Sequence, residues 1–196
     1  MKKSIFARIL TLIAILYFVG CNQKQSQPEN QRQQALTFSV TSDGRQSAQV
    51  LQDLLDSGYA VKSYAKVIID KSSSTITTGK SYDLDTTGRS YDLEIVLPSN
   101  FSDSERTTEN IIAYAKARGM VSLPNKTALL ALTVISVEQL KKLNLYALVF
   151  MHEPIKTLYG DLYRLGLSNF GRWLDVYATE PGRKWSREEG FVFLRP

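Results

Sequence analysis

Apolar and polar positions alternate unevenly along this chain, and the unevenness marks its elements. After a polar stretch, the folded part starts near Leu36, and Thr37 to Val40 predicts a short strand. Asp43 with Gln46 has the spacing of a capping box. Ala48, Leu51, Leu54 and Leu55 then recur at helical intervals, and Gly58 suits the residue past a helix end. Tyr59 to Asp70 is rich in Val, Ile and Tyr and predicts a strand, and Lys71 to Ser74 reads as a polar turn. Thr75 to Thr78 opens another strand.

Gly79-Lys80-Ser81-Tyr82-Asp83-Leu84-Asp85 returns as Gly88-Arg89-Ser90-Tyr91-Asp92-Leu93-Glu94. Two copies nine residues apart are too few and too short for a solenoid. They read as the arms of a β-hairpin turning at Asp85-Thr86-Thr87-Gly88. A two-residue loop sets Tyr82 opposite Tyr91, whereas a bulge at Gly88 sets it opposite Asp92. The bulge is favoured because β-branched Thr86 and Thr87 resist positive φ. The repeated Tyr-Asp is either a binding pair or, by default, part of a stable sheet face.

Pro98 closes that strand, and Ser102 with Glu105 has the second capping-box spacing. Ile111, Ile112 and Ala115 make the apolar stripe of a helix ending near Gly119. Ala128 to Ile135 is a continuous apolar run of strand length, read as a central strand buried on both faces. Ser136 with Gln139 is a third capping box opening a short helix, and Leu145 to Met151 is another buried strand, stopped by Pro154. Leu158, Leu162 and Leu165 predict a helix ending at Gly166. Leu167, Phe170, Leu174 and Tyr177 keep helical spacing, although Gly171 interrupts them. Pro181-Gly182 is a turn, and Phe191 to Leu194 a last strand. Helices and strands alternating irregularly imply an α+β fold: a single domain with a mixed, mostly antiparallel sheet and helices packed mainly on one face.

The first 35 residues have a different character. Lys2, Lys3 and Arg8 precede an almost wholly apolar run of 11 residues, Ile9 to Val19. That is the layout of a secretory signal. A helix of that length covers ~17 Å, short of a ~30 Å hydrocarbon core. The run leads to Cys21, the one cysteine of the chain. Phe18-Val19-Gly20-Cys21 resembles the bacterial lipobox, with Phe18 where that family usually has Leu. The resemblance covers residues 1–21 only. It implies that residues 1–20 are a signal peptide cut before Cys21, and that the Cys21 sulfur takes a diacylglycerol. It further implies that the new amino group is acylated, as by palmitate. The alternative is a plain secretory signal with a chance cysteine. Asn22 follows in place of the Asp that retains enterobacterial relatives in the inner membrane, which points to the outer membrane in a Gram-negative cell.

Asn22 to Gln34 holds six glutamines, Pro28 and no apolar residue, so it lacks the surface to bury itself. A tether of 13 residues spans ~20 Å on average. The organisation expected is a signal over 1–20, a lipidated cysteine and tether over 21–35, and a globular domain over 36–196.

This division changes the meaning of the charge. The formal +5 includes Lys2, Lys3 and Arg8; without them, 21 basic residues face 19 acidic ones. A net +2 gives no support to a nucleic-acid partner. With Cys21 acylated no thiol remains, so disulfides and cysteine catalysis are both excluded.

Candidate chemistry is sparse. His152, the only histidine, follows a predicted buried strand and precedes Glu153-Pro154. It reads either as a general base oriented by a carboxylate or as a polar residue where a strand leaves the core. No second histidine completes a zinc-protease motif, and carboxylates show no clustered metal-ligand spacing. Serine lacks the Gly-x-Ser-x-Gly context, and no glycine-rich phosphate loop occurs. Glu153 and Asp161 are the first carboxylate pair to consider for glycoside cleavage. Arg172-Trp173 and Arg183-Lys184-Trp185-Ser186-Arg187 interleave aromatic and basic residues. A tryptophan flanked by cations stacks on sugar rings or sits at an anionic surface; the plain alternative is a core-facing indole. Glu188 and Glu189 partly neutralise the second cluster.

The expectation is thus an envelope lipoprotein, held to the membrane by Cys21, with a non-enzymatic binding or assembly role. The expected ligand residues are Trp173, Trp185, Arg172, Arg183 and Lys184. A protein or glycan partner in the envelope is expected, with no cofactor, metal or catalytic residue assigned. The alternatives are a peptidoglycan or glycan hydrolase, and an inhibitor or immunity protein.

Overall fold

The computed structural model describes residues 36–74, 88–157 and 159–195. They form one α+β domain with a mixed, mostly antiparallel sheet of eight strands and five helices. In chain order the elements are β1 (Leu36–Thr41), α1 (Ser47–Asp56), β2 (Ala60–Val61), α2 (Ser63–Ser74) and β3 (Ser90–Val96). A 3-10 turn (Pro98–Asn100), α3 (Thr108–Ala117), α4 (Asn125–Ala131) and α5 (Val137–Lys142) follow. The last five strands are β4 (Ala147–Phe150), β5 (Ile155–Lys156), β6 (Leu162–Ser168), β7 (Trp173–Ala178) and β8 (Glu189–Arg195). The sheet order is β1-β3-β8-β4-β6-β7-β2, with β5 paired to β6. Only β4–β8 and β2–β7 run parallel.

Register explains where the core lies. Pairing Val192 with Ile95 and Phe150, Leu148 with Leu167, and Leu167 with Leu174 brings these side chains to one face. Against the sheet pack α2, on β7, and α4, on β1, while α1 touches both helices. The opposite face carries Phe191, Val149, Gly166 and Tyr177 in its central strands. Trp185 lies edge-on to Phe191 there and donates its indole N–H to Thr108 at the start of α3. Most helices thus stack on one face, while α3 begins on the other.

Local signals hold where they are short-ranged. Gly58 and Gly119 follow α1 and α3 with φ of 84° and 77°. Ser136 accepts the Gln139 N–H at 3.2 Å, and the Gln139 side chain takes the Ser136 N–H at 2.7 Å. Replacing Ser136 with alanine is expected to cost ~1 kcal/mol of unfolding free energy in a urea titration, the usual worth of such a cap. An unchanged midpoint would show that the cap contributes nothing.

Seven expectations fail, each for a physical reason. Tyr59 to Asp70 is not a strand beyond Ala60–Val61. It becomes α2, with Ala65 and Ile69 buried four residues apart while Tyr64 and Val67 face outward. Ala128 to Ile135 is not a central strand. Its first half belongs to α4, buried all round, because Ala-Leu-Leu-Ala is a strong helix former and an apolar run of this length has no visible period. The helices expected over 158–166 and 167–177 are the antiparallel strands β6 and β7. Leu165 and Leu167 sit on one face and Arg164, Gly166 and Ser168 on the other, so burial on both faces hides the period of two.

The capping boxes at Asp43 and Ser102 do not start helices. Asp43 binds Arg45, and α1 instead begins with the Gln46 N–H on the Gln49 side chain. Ser102 and Glu105 do bond each other, but close a turn ahead of α3, whose cap is Thr107. The hairpin of the Tyr-Asp repeat fails as well. β1 and β8 flank β3, and Asp92 faces Ser39 on one side and Arg195 on the other. In that second copy Tyr91 is a core residue, and Asp92 accepts a hydrogen bond from Ser39 at 2.5 Å. The first copy and the strand over 75–78 lie outside the described residues.

Candidate functional site

His152 is wholly buried and fully used by the backbone. The β4–β6 ladder stops at Val149–Gly166, and pairing resumes only at Ile155–Tyr163 in β5. In that gap Leu165 would lack an acceptor for its N–H. The His152 ring supplies one: Nε2 accepts the Leu165 N–H at 2.8 Å. Nδ1 then carries the proton and donates to the Glu153 carbonyl at 2.7 Å. Arg164 Nε donates to the His152 carbonyl at 2.7 Å, and the same guanidinium bonds Thr179. Burial pushes the imidazole pKa down to about 4, helped by the nearby Arg164 charge, and burial also lowers Arg164 to about 10. With both ring nitrogens spent and no solvent access, His152 is not placed as a general base. It replaces a missing ladder bond. The carbonyl of Glu153, not its carboxylate, orients the ring. Glu153 and Asp161 are both exposed. Among the described residues no group of three His, Cys, Asp or Glu could hold a metal ion.

The two tryptophans have opposite fates. Trp185 is only 3% exposed. Its indole is bonded to Thr108, packed on Phe191 and covered by the Arg183 guanidinium at 4.4 Å. Arg183 also lies 3.8 Å from buried Glu189, whose carboxylate accepts the Ser186 N–H at 2.7 Å. Arg187 binds Asp103, which Arg187 and Arg106 together hold at about 2. Lys184 is exposed, and its backbone bridges Thr107. The segment expected as a ligand platform at Trp185, Arg183 and Lys184 is therefore a core anchor for the 180–188 loop. Arg183 and Arg187 have carboxylates of this same domain to serve, a pairing across the fold that no local spacing reveals.

Trp173 is 43% exposed and lines an open cleft of about 450 Å3. It opens β7, directly after a turn in which Gly171 and Arg172 both take positive φ, 77° and 57°. The parallel pairing of β2 with β7 brings Ala60 and Val61 beside Trp173 and Leu174. Lys62 and Tyr64 follow at once. Lys62 Nζ sits 5.4 Å from the centre of the Trp173 ring and is ion-paired with Asp175. Tyr64 packs at a tilt 5.7 Å from Tyr163, which the register places on the sheet face opposite Trp173, and stays largely exposed. Arg172 is directed away from the cleft: it donates to the Ser57 carbonyl at 3.3 Å and lies 6.0 Å from the Tyr59 ring.

Of the five residues expected at a ligand site, only Trp173 lines the cleft. Lys62 and Tyr64, which also line it, were missed, as was Asp175, the partner of Lys62. Lys62 and Tyr64 lay in a segment read as a strand, and nothing in the linear sequence links them to Trp173. Comparison with protein families, with curated proteins and with solved structures finds no match to this chain.

Proposed function

We propose that this chain is a bacterial envelope lipoprotein whose folded domain is a non-enzymatic binding module, with the Trp173 cleft as its contact surface. The observation that carries the binding role is the exposure of Trp173 in an open cleft, beside the Lys62–Asp175 charge pair. Leaving an indole this exposed forgoes burial worth on the order of 1–2 kcal/mol, a sacrifice that a binding surface explains. The use of both His152 nitrogens by the backbone supports a role without acid–base turnover. The anchor rests on Phe18-Val19-Gly20-Cys21, and the outer membrane is its site in a Gram-negative cell. Among the described residues no helix is long and apolar enough to cross a membrane. Two or three acyl chains on Cys21 would hold the protein durably, at ~0.8 kcal/mol per buried methylene.

Mass analysis of the mature N-terminus tests the anchor. The expected product begins at a diacylglyceryl Cys21, and Cys21→Ser is expected to move the protein from the detergent phase to the aqueous phase. A retained signal or an unmodified Cys21 would reject it. The binding role is tested by crosslinked pull-down from envelopes, where Trp173→Ala should lose what the wild type retains. Turnover of an envelope substrate by the purified protein, abolished by a point substitution, would reject the non-enzymatic reading.

A further inference from the structure

We infer that the ligand of the Trp173 cleft is a glycan, bound by stacking of a sugar ring on Trp173 and by hydroxyl contacts to Lys62 and Ser63. This inference rests on the binding role proposed above and names its ligand class.

The chemistry of the lining carries it. A pyranose presents a flat patch of C–H groups on its faces and a belt of hydroxyls around its edge. The first needs an aromatic plane; the second needs donors and acceptors side by side. Trp173 is 43% exposed and lines the cleft, which leaves part of its indole free there. Lys62 lines the cleft beside the indole and offers an ammonium donor, while the Asp175 carboxylate paired with it keeps the site neutral. The ammonium can bind a hydroxyl without leaving Asp175 unpaired, since it has three donors. The Ser63 hydroxyl adds a further polar group.

The cleft floor fits the same ligand. β2 donates from Ala60 and Lys62 to the carbonyls of Arg172 and Leu174. Val61, between them, therefore turns its own N–H and C=O to the outer side of this last strand of the sheet, where hydroxyls can reach them. The cleft is open and shallow, as suits a polymer that extends beyond it on either side. An anionic small molecule fits less well, because Asp175 cancels the Lys62 charge. A purely apolar ligand fits less well too, because it would bury that pair without compensation.

The test is titration of the full chain, in a detergent without a sugar headgroup, with soluble tetramers of N-acetylglucosamine and of glucose. Calorimetry and tryptophan fluorescence are read together. At least one tetramer is expected to bind saturably and to shift the emission of Trp173, whereas buried Trp185 stays unaffected. Trp173→Ala is expected to weaken binding about tenfold, equivalent to about 1.4 kcal/mol, and Trp173→Tyr to retain most of it. Lys62→Met should weaken binding several-fold, with the melting temperature measured beside every variant. Saturable binding that survives Trp173→Ala overturns the inference, as does the absence of saturable binding by both tetramers. Capture of a protein by a photocrosslinker at position 64, insensitive to both tetramers, also overturns the glycan assignment while leaving the binding role in place.

Discussion

Replacing His152 with alanine is expected to lower the unfolding free energy by about 3–5 kcal/mol, a large share of a typical domain's total. Three losses combine. The buried Leu165 N–H loses its acceptor at Nε2, and the Glu153 carbonyl loses its donor at Nδ1. The imidazole also leaves a cavity in a fully enclosed position. A urea titration at neutral pH should show a lower midpoint with an unchanged slope. A midpoint within error of the wild type would mean that water replaces the ring without cost, and the ladder role would fall.

The same residue predicts a pH dependence with a definite sign. The folded-state pKa of about 4 lies below the ordinary 6.5. Between these values the unfolded chain binds a proton at this position that the folded chain refuses. Stability therefore rises with pH through this window and is lost as pH falls from 6.5 towards 4. At ~1.4 kcal/mol per pH unit for one proton, the whole window is worth at most about 3.5 kcal/mol. His152→Asn should be flatter than the wild type across this range. Carboxylates such as Asp103, held at about 2 by Arg187 and Arg106, act mainly below it. Parallel pH profiles for the two proteins would exclude the imidazole as the source.

Gly166→Ala is the second substitution with a large expected effect, about 3 kcal/mol or more of destabilisation. A β-carbon here would lie 2.5 Å from the Tyr177 ring and 2.7 Å from the Leu148 carbonyl oxygen. The ring can swing aside, but the carbonyl belongs to β4, pinned between β6 and β8. Gly182→Ala is the control: nothing lies within 4 Å of its β-carbon, so a change within ~0.5 kcal/mol is expected. Tyr177→Ala combined with Gly166→Ala should recover part of the loss, the part due to the ring. Equal stability of the Gly166 and Gly182 variants would show that the central strands shift apart easily.

The repeat at Gly79 and Gly88 shows how a local pattern misleads. Similarity of two segments suggests that they pair, yet β3 takes its partners from β1 and β8, one of them a hundred residues away in sequence. Ala128 to Ile135 and Leu158 to Tyr177 mislead for a related reason. In the middle of this sheet both faces are covered, so a strand loses the alternation that would identify it, and a helix buried all round loses its stripe. Patterns survived where one side meets water, as in α1, α3 and β1.

By itself the sequence determined what depends on neighbours along the chain. That covers the α+β class, the Gly58 and Gly119 helix ends and the Ser136 cap. Each of these is settled within a few residues, by φ preference, by a side chain reaching its own backbone, or by a run of composition. Tertiary structure alone decided the candidate site. Trp173 and Trp185 have nearly the same basic surroundings in sequence. One became a core anchor because Thr108 and Phe191 close over it, and the other stayed open because two-residue β2 pairs beside it and brings Lys62 and Tyr64. Burial depends on which distant surfaces meet, and the pairing of β2 with β7 spans more than a hundred residues that carry no local record of it.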